Sequence, residues 1–186
     1  DVAVKNASEL LDRLLKDIIT ENSGIFDLPA FIPLLRERIS TKNSFARQFL
    51  ISWISILNAV PEINMLEYLP DILDGLFQML EDNVEIQRMC ETLLQHFLKN
   101  IKHDPDAVDL TKMTNILINH AQNGNNELIQ FMAISWLREF LSLSGNQMQP
   151  YFAGIFSAIL PCLAYESESK KSLWKFFLLL SFKAFF

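Results

Sequence analysis

Cysteine is scarce: only Cys90 and Cys162 occur among 186 residues. Two residues so far apart build no disulfide framework, so a reducing, cytosolic setting is expected and both read as small buried apolar side chains. Glycine is scarce too, and five of them leave no Gly-rich phosphate loop, no G-x-S-x-G elbow and no Walker pattern. The three histidines, His96, His103 and His120, stand apart with no HxxxH or CxxC spacing, and read as surface or helix-end residues. No catalytic, cofactor-binding or metal-ligating residue is assigned, and no cofactor is expected. Basic charge is in deficit, since 16 Lys and Arg against 22 Asp and Glu give a formal charge of -6. A phosphate-tracking surface needs a stripe of Lys and Arg, so nucleic acid is not an expected partner. Asp1 to Ser8 show neither a charged n-region nor an apolar h-region, and the chain reads as a piece of something longer.

What is present is a repeat. Phe31, Ile72, Met113 and Ile155 align at steps of 41, 41 and 42, as do Leu35, Leu76, Leu117 and Ile159. At a step of 83, Ile51-Ser52-Trp53 falls on Ile134-Ser135-Trp136, and Tyr68 on Tyr151. A period of this size belongs to stacked helical pairs of the HEAT or armadillo kind. The expected fold is all-α, a solenoid of about four helical pairs with an extra N-terminal helix. Half of the residues are hydrophobic, enough to fill a continuous strip of core between repeats.

The lone first helix is expected from about Ser8 to Thr20, with Leu10, Leu11, Leu14, Leu15, Ile18 and Ile19 on one face and i,i+4 pairs from Glu9 to Arg13 and Asp12 to Lys16 on another. The pairs are expected at Asp27 to Ile39 with Ser44 to Ala59, Leu66 to Leu80 with Val84 to Ile101, Pro105 to Gln122 with Asn126 to Leu143, and Gln149 to Ala164 with the tail. Interior stripes are read at Ala46, Phe49, Leu50, Trp53, Ile54 and Leu57, at Ile86, Met89, Leu93, Phe97 and Ile101, and at Ile129, Met132, Ala133, Trp136, Leu137 and Phe140. Thr41 to Ser44, Asp82-Asn83 and Asn123 to Asn126 carry turn chemistry able to cap the next helix. Asp104-Pro105 reads as an N-cap with proline at the first helical position.

Glu67, Asp71 and Asp74 recur at helical spacing and read as a solvated acidic face, not an acid/base pair. Arg36, Arg38, Lys42 and Arg47 form one basic cluster, which reads as solvated charge with an acidic partner or lipid headgroup as the alternative. Residues 173–186 are apolar nearly all round, but at 14 residues broken by Lys175 and Lys183 they fall short of the roughly 20 that span a bilayer. The chain therefore divides into a repeat array at 1–172 and an atypical hydrophobic tail at 173–186.

Several blocks taken in order resemble one family. They are Ser8-Glu9-Leu10-Leu11-Asp12-Arg13-Leu14-Leu15-Lys16-Asp17-Ile18, Phe31-Ile32-Pro33-Leu34-Leu35-Arg36-Glu37-Arg38-Ile39, Ala46-Arg47-Gln48-Phe49 with Ser52-Trp53, Tyr68-Leu69-Pro70 with Ile72 to Phe77, and Leu160-Pro161-Cys162-Leu163-Ala164-Tyr165. They are similar to the HEAT-repeat scaffold subunit of the phosphatidylinositol 3-phosphate 5-kinase (PIKfyve) complex, the vacuolar morphology and inheritance family. The likeness runs from about Val2 to Ser172, and after Lys170-Lys171-Ser172 the sequence departs from the family pattern. The resemblance implies a non-catalytic scaffold that holds the lipid kinase and the opposing lipid 5-phosphatase on the cytosolic face of endosomal, lysosomal or vacuolar membranes. It implies peripheral, indirect membrane association and self-association of the full-length parent. The remaining readings are a peripheral membrane-binding module and a generic protein-interaction solenoid.

Overall fold

The computed structural model describes residues 2–22, 24, 26–124 and 126–161. The hydrophobic tail, Cys162 and the end of the helix expected to reach Ala164 lie outside the described residues. Among those described there is no strand. The described residues form eight α-helices: α1 (Val2–Glu21), α2 (Leu28–Arg38), α3 (Ser44–Ala59), α4 (Leu69–Met79), α5 (Val84–His103), α6 (Leu110–Gln122), α7 (Glu127–Met148) and α8 (Phe152–Ile159). The all-α solenoid reading holds.

Two layers emerge from the packing. First helices α2, α4, α6 and α8 stack on one another, and α1, α3, α5 and α7 form the second layer, with α6 lying most extensively against α7. The repeat columns become the core between the layers. Leu35, Leu76, Leu117 and Ile159 are all buried, as are Ile72, Met113 and Ile155, while Phe31 at the array's end is half-buried. In the second helices, three positions hold Trp53, Leu93 and Trp136; Ile54, Leu94 and Leu137; and Leu57, Phe97 and Phe140, all buried. Each removes a large apolar side chain from water, worth about 1.5–3 kcal/mol.

Second helices start on the same device. Asn43, Asn83 and Asn126 each turn a side-chain oxygen onto the N–H groups of the opening turn: Ala46 at 3.0 Å, Glu85 and Ile86 at 3.1 Å, and Leu128 at 3.0 Å. An N-cap of this kind satisfies donors that the helix cannot bond internally. One turn further on, Arg47 Nε donates to the Thr41 carbonyl at 2.6 Å and, 83 residues later, Gln130 Nε2 donates to the Ala121 carbonyl at 3.0 Å. The first ties α3 to the connection that follows α2, and the second ties α7 to the last turn of α6.

Three first-helix starts differ from expectation, each around proline or a buried residue. Asp104 makes no side-chain cap and Pro105–Ala107 is only a 3-10 turn. Val108 is extended and buried, so the helix restarts at Leu110 with Asp109 as its cap. Pro70 lacks an N–H, and the stretch expected as one helix from Leu66 splits into a 3-10 turn, Met65–Tyr68, and then α4. The same split recurs as Gln149–Tyr151 followed by α8. Met65 and Met148, 83 residues apart, are buried at these two corners. α7 breaks at Ser144 (φ -144, ψ 51), which agrees with an expected end at Leu143. α1 begins six residues before Ser8, whose hydroxyl donates back to the Val4 carbonyl at 2.9 Å and caps nothing.

Cys90 joins this core fully buried, its thiol donating to the Leu76 carbonyl at 2.9 Å. Burial pushes its pKa up to about 12, with the Glu91 charge adding to the effect. The nucleophilic thiolate is therefore nearly absent at neutral pH. Peptide mapping after maleimide treatment is expected to find Cys90 unmodified in the folded chain and fully modified in urea. Rapid labelling without denaturant would show that the α4–α5 seam opens on its own.

Candidate interaction surface

Neighbouring repeats are tied laterally by polar contacts whose partners lie about one period apart. On the second layer, Trp53 Nε1 donates to Asp12 Oδ1 at 2.7 Å and Lys16 Nζ to Ser52 Oγ at 2.9 Å. Arg47 pairs with Asp82 at 2.7 Å, Gln48 Nε2 donates to Glu85 Oε1 at 3.1 Å, and Lys102 pairs with Glu139 at 2.9 Å. On the first layer, Arg36 approaches Asp71 at 3.6 Å and His120 Nε2 meets Asp74 Oδ1 at 2.8 Å.

Two residues, Arg47 and His120, are more buried than their groups led one to expect. Of the basic cluster, Arg47 is largely buried against Asp82, while Arg36, Arg38 and Lys42 are exposed as solvated charge, with Asp71 and Glu37 each 3.6 Å from Arg36 and Arg38. That takes Arg47 out of the cluster that motivated a membrane-binding reading, and the other motive, the tail, lies outside the described residues. His96 and His103 are exposed as expected, and His120 is a helix-end residue in the last turn of α6, half-buried and stacked on Phe77 with ring centroids 4.9 Å apart. Glu67, Asp71 and Asp74 are exposed. Among the described residues no group of three His, Cys, Asp or Glu side chains is placed to hold a metal ion.

The face left open is aromatic. The Trp53 column of α3 turns inward, which leaves Phe45 and Phe49 on the outer side of the same helix, 73% and 49% exposed. Phe49 was expected in the interior stripe. It tilts against Trp53, with ring centroids 6.0 Å apart. With Lys5, Lys16 and Met89 these rings line a groove of about 570 Å³ between α1, α3 and α5. Lys5 Nζ sits 5.5 Å from the centre of the Phe45 ring, and Lys16 Nζ sits 5.6 Å from the centres of Phe49 and Trp53. Cations over ring faces hold the aromatics without burying them. Phe131 on α7 continues the exposed apolar side chains of this layer. On α1, Leu10, Leu11, Leu14, Leu15 and Ile18 face solvent and only Ile19 is buried. Apolar rings framed by fixed charges suit docking of another chain.

Carboxylates along the array make it sensitive to acid. The Asn83 backbone N–H, with Arg47 and Ser44 adding to it, holds Asp82 below the usual carboxylate range. Thr111 does the same for Asp109. Burial pushes Glu139 up, but hydrogen bonds from Lys102 and Arg138 outweigh it and leave its pKa lowered. A depressed folded-state pKa contributes stability that is complete above the unfolded value and is lost as pH falls through the folded one. Urea midpoints are expected to be flat above about pH 5 and to fall below about pH 4. Asp82→Asn is expected to shallow that fall, and an unchanged acid limb in this variant would show that Asp82 does not contribute.

Stacked helical pairs, lateral polar ties and an open aromatic layer define a helical-repeat protein of the solenoid class, built to present surface. The chain belongs to the vacuole morphology and inheritance family. It is 46% identical over 169 residues to Protein VAC14 homolog of Arabidopsis thaliana, a match covering 90% of this chain and 22% of the relative. It is 24% identical over 260 residues to Protein VAC14 homolog of Schizosaccharomyces pombe, covering 92% of this chain and 32% of that one. It is 32% identical over 137 residues to Vacuole morphology and inheritance protein 14 of Saccharomyces cerevisiae, covering 53% of this chain and 16% of that one. The chain thus spans a third or less of the length of these relatives. No family model matches it, and no solved structure does.

Proposed function

We propose that this chain is a non-catalytic segment of a helical-repeat scaffold. In this reading it helps to hold the phosphatidylinositol 3-phosphate 5-kinase and the opposing lipid 5-phosphatase together on endosomal, lysosomal or vacuolar membranes. The observation that carries the proposal is the match to VAC14 homologues over 90% of the chain. The fold supplies a mechanism. Repeats that contact only their neighbours form a continuous ruler, and enzymes docked along it gain effective concentration without any chemistry from the ruler itself. Residues 1–172 act as one array, with 173–186 a separate appendage, and the full-length parent self-associates. Among the described residues no helix is long and apolar enough to cross a membrane, and attachment is taken to be peripheral, through partners.

The test is affinity capture from cytosolic lysate with residues 1–172, read by mass spectrometry. Recovery of the lipid kinase or the phosphatase, lost on Phe45→Ala with Phe49→Ala, is the expected result and places docking on the α1–α3–α5 groove. A folded, monodisperse chain that retains neither enzyme would overturn the role proposed for this segment.

A further inference from the structure

Among the asparagines of the sequence, Asn123 alone is followed by glycine. The structure sets this pair just past the end of α6, where Asn123 is exposed and non-helical (φ -76, ψ 89). Its own N–H is held by the Asn119 and His120 carbonyls at 3.2 and 3.3 Å. The upstream side is thereby fixed, while the downstream peptide runs into an exposed turn at Gly124, which has no Cβ to crowd an approach to its nitrogen. Asp74-Gly75, the one Asp-Gly pair of the sequence, lies inside α4 with its carboxylate held by His120 and Gln78.

We propose that Asn123 is an intrinsic deamidation site, where a carboxylate is introduced between α6 and α7. The Gly124 backbone nitrogen attacks the Asn123 side-chain carbonyl carbon. The new C–N bond forms as the bond to the side-chain NH2 breaks, and the amide proton leaves with it as ammonia. Water then opens the succinimide at either carbonyl, giving aspartate or isoaspartate without oxidation or reduction. The product makes the formal charge of -6 more negative by one unit. The new carboxylate sits at the C-terminal end of α6, the negative end of the helix dipole. The isoaspartate form also adds a methylene to the main chain joining the most extensively packed helices.

The intact folded chain, kept at mildly alkaline pH and physiological temperature in heavy-oxygen water, tests this by peptide mass mapping and isoaspartyl methyltransferase labelling. The Asn123 peptide is expected to convert several-fold faster than any other asparagine peptide and to take up heavy oxygen. Gly124→Ala, checked for unchanged circular dichroism, is expected to slow that peptide several-fold and leave the others alone. Conversion led by Asn22 or Asn43 would overturn the proposal. So would a folded-state rate at Asn123 many-fold below the rate in urea, which would mean that the turn protects it.

Discussion

Trp136→Ala is expected to lower stability by about 3–5 kcal/mol, the usual cost of emptying a buried tryptophan site. Total stabilities of about 5–15 kcal/mol make that a large loss. Trp136 has no exposed surface, meets Phe77 edge-on at 6.1 Å and tilts against Phe140 at 6.0 Å. It links α7 to α4 of the preceding pair, so emptying it weakens the coupling between neighbouring repeats. Trp53→Ala, at the equivalent place near the open α1 end, is expected to cost less. The informative control is Trp136→Phe. The Trp136 indole N–H is buried with no hydrogen-bond partner, and an unsatisfied buried donor costs about 1–3 kcal/mol. Removing it offsets much of the lost ring volume, so Trp136→Phe is expected within about 1 kcal/mol of the parent. Urea unfolding followed by circular dichroism reads both, and equal losses for Phe and Ala would contradict the account of the orphaned nitrogen.

The contrast between the two tryptophans marks what the sequence can and cannot convey. Their place in the repeat is legible, because burial selects apolar side chains once per period and the Leu35, Leu76, Leu117 and Ile159 column is buried throughout. The second-helix starts are legible for a similar reason, since the caps at Asn43, Asn83 and Asn126 are local chemistry. What a side chain meets across the repeat boundary is not local. Trp53 finds Asp12 while Trp136 finds nothing, and Arg47 looks like one of four solvated cations until Asp82, 35 residues on, is packed against it. A signal for that pair existed, an acid placed roughly one period after a base, but opposite charges are common enough to hide it. The aromatic groove depends on how far α3 is rotated. A stripe tells which face is apolar, not where along its edge burial stops, and Phe49 falls on the solvent side of that edge.

Gly75→Val is expected to disrupt the array at its second repeat, by a route that no sequence pattern reveals. A Cβ built at Gly75 would collide with Ile39 Cγ1 and lie 2.9 Å from Cγ2. These atoms belong to a stiff β-branched side chain that is itself buried, so the neighbour cannot swing clear. Two effects oppose each other in Gly75→Ala. Removing a glycine from a helix interior stabilises by about 1 kcal/mol, while forcing a methyl into a filled core costs about 1–3 kcal/mol. The clash is shorter than any relaxed contact, so overpacking wins and Gly75→Ala is expected to destabilise by about 1–2 kcal/mol. Valine brings two more carbons into the same space and is expected to cost more than 3 kcal/mol, roughly the upper end of overpacking. The sign should invert when the obstacle is removed. In an Ile39→Ala background the helix-propensity term stands alone, and Gly75→Ala is expected to stabilise by about 1 kcal/mol. A double-mutant cycle on urea midpoints therefore yields a coupling of about 2–3 kcal/mol between residues 39 and 75. A coupling near zero would mean that the close approach of α4 to the end of α2 is not what requires glycine at this position.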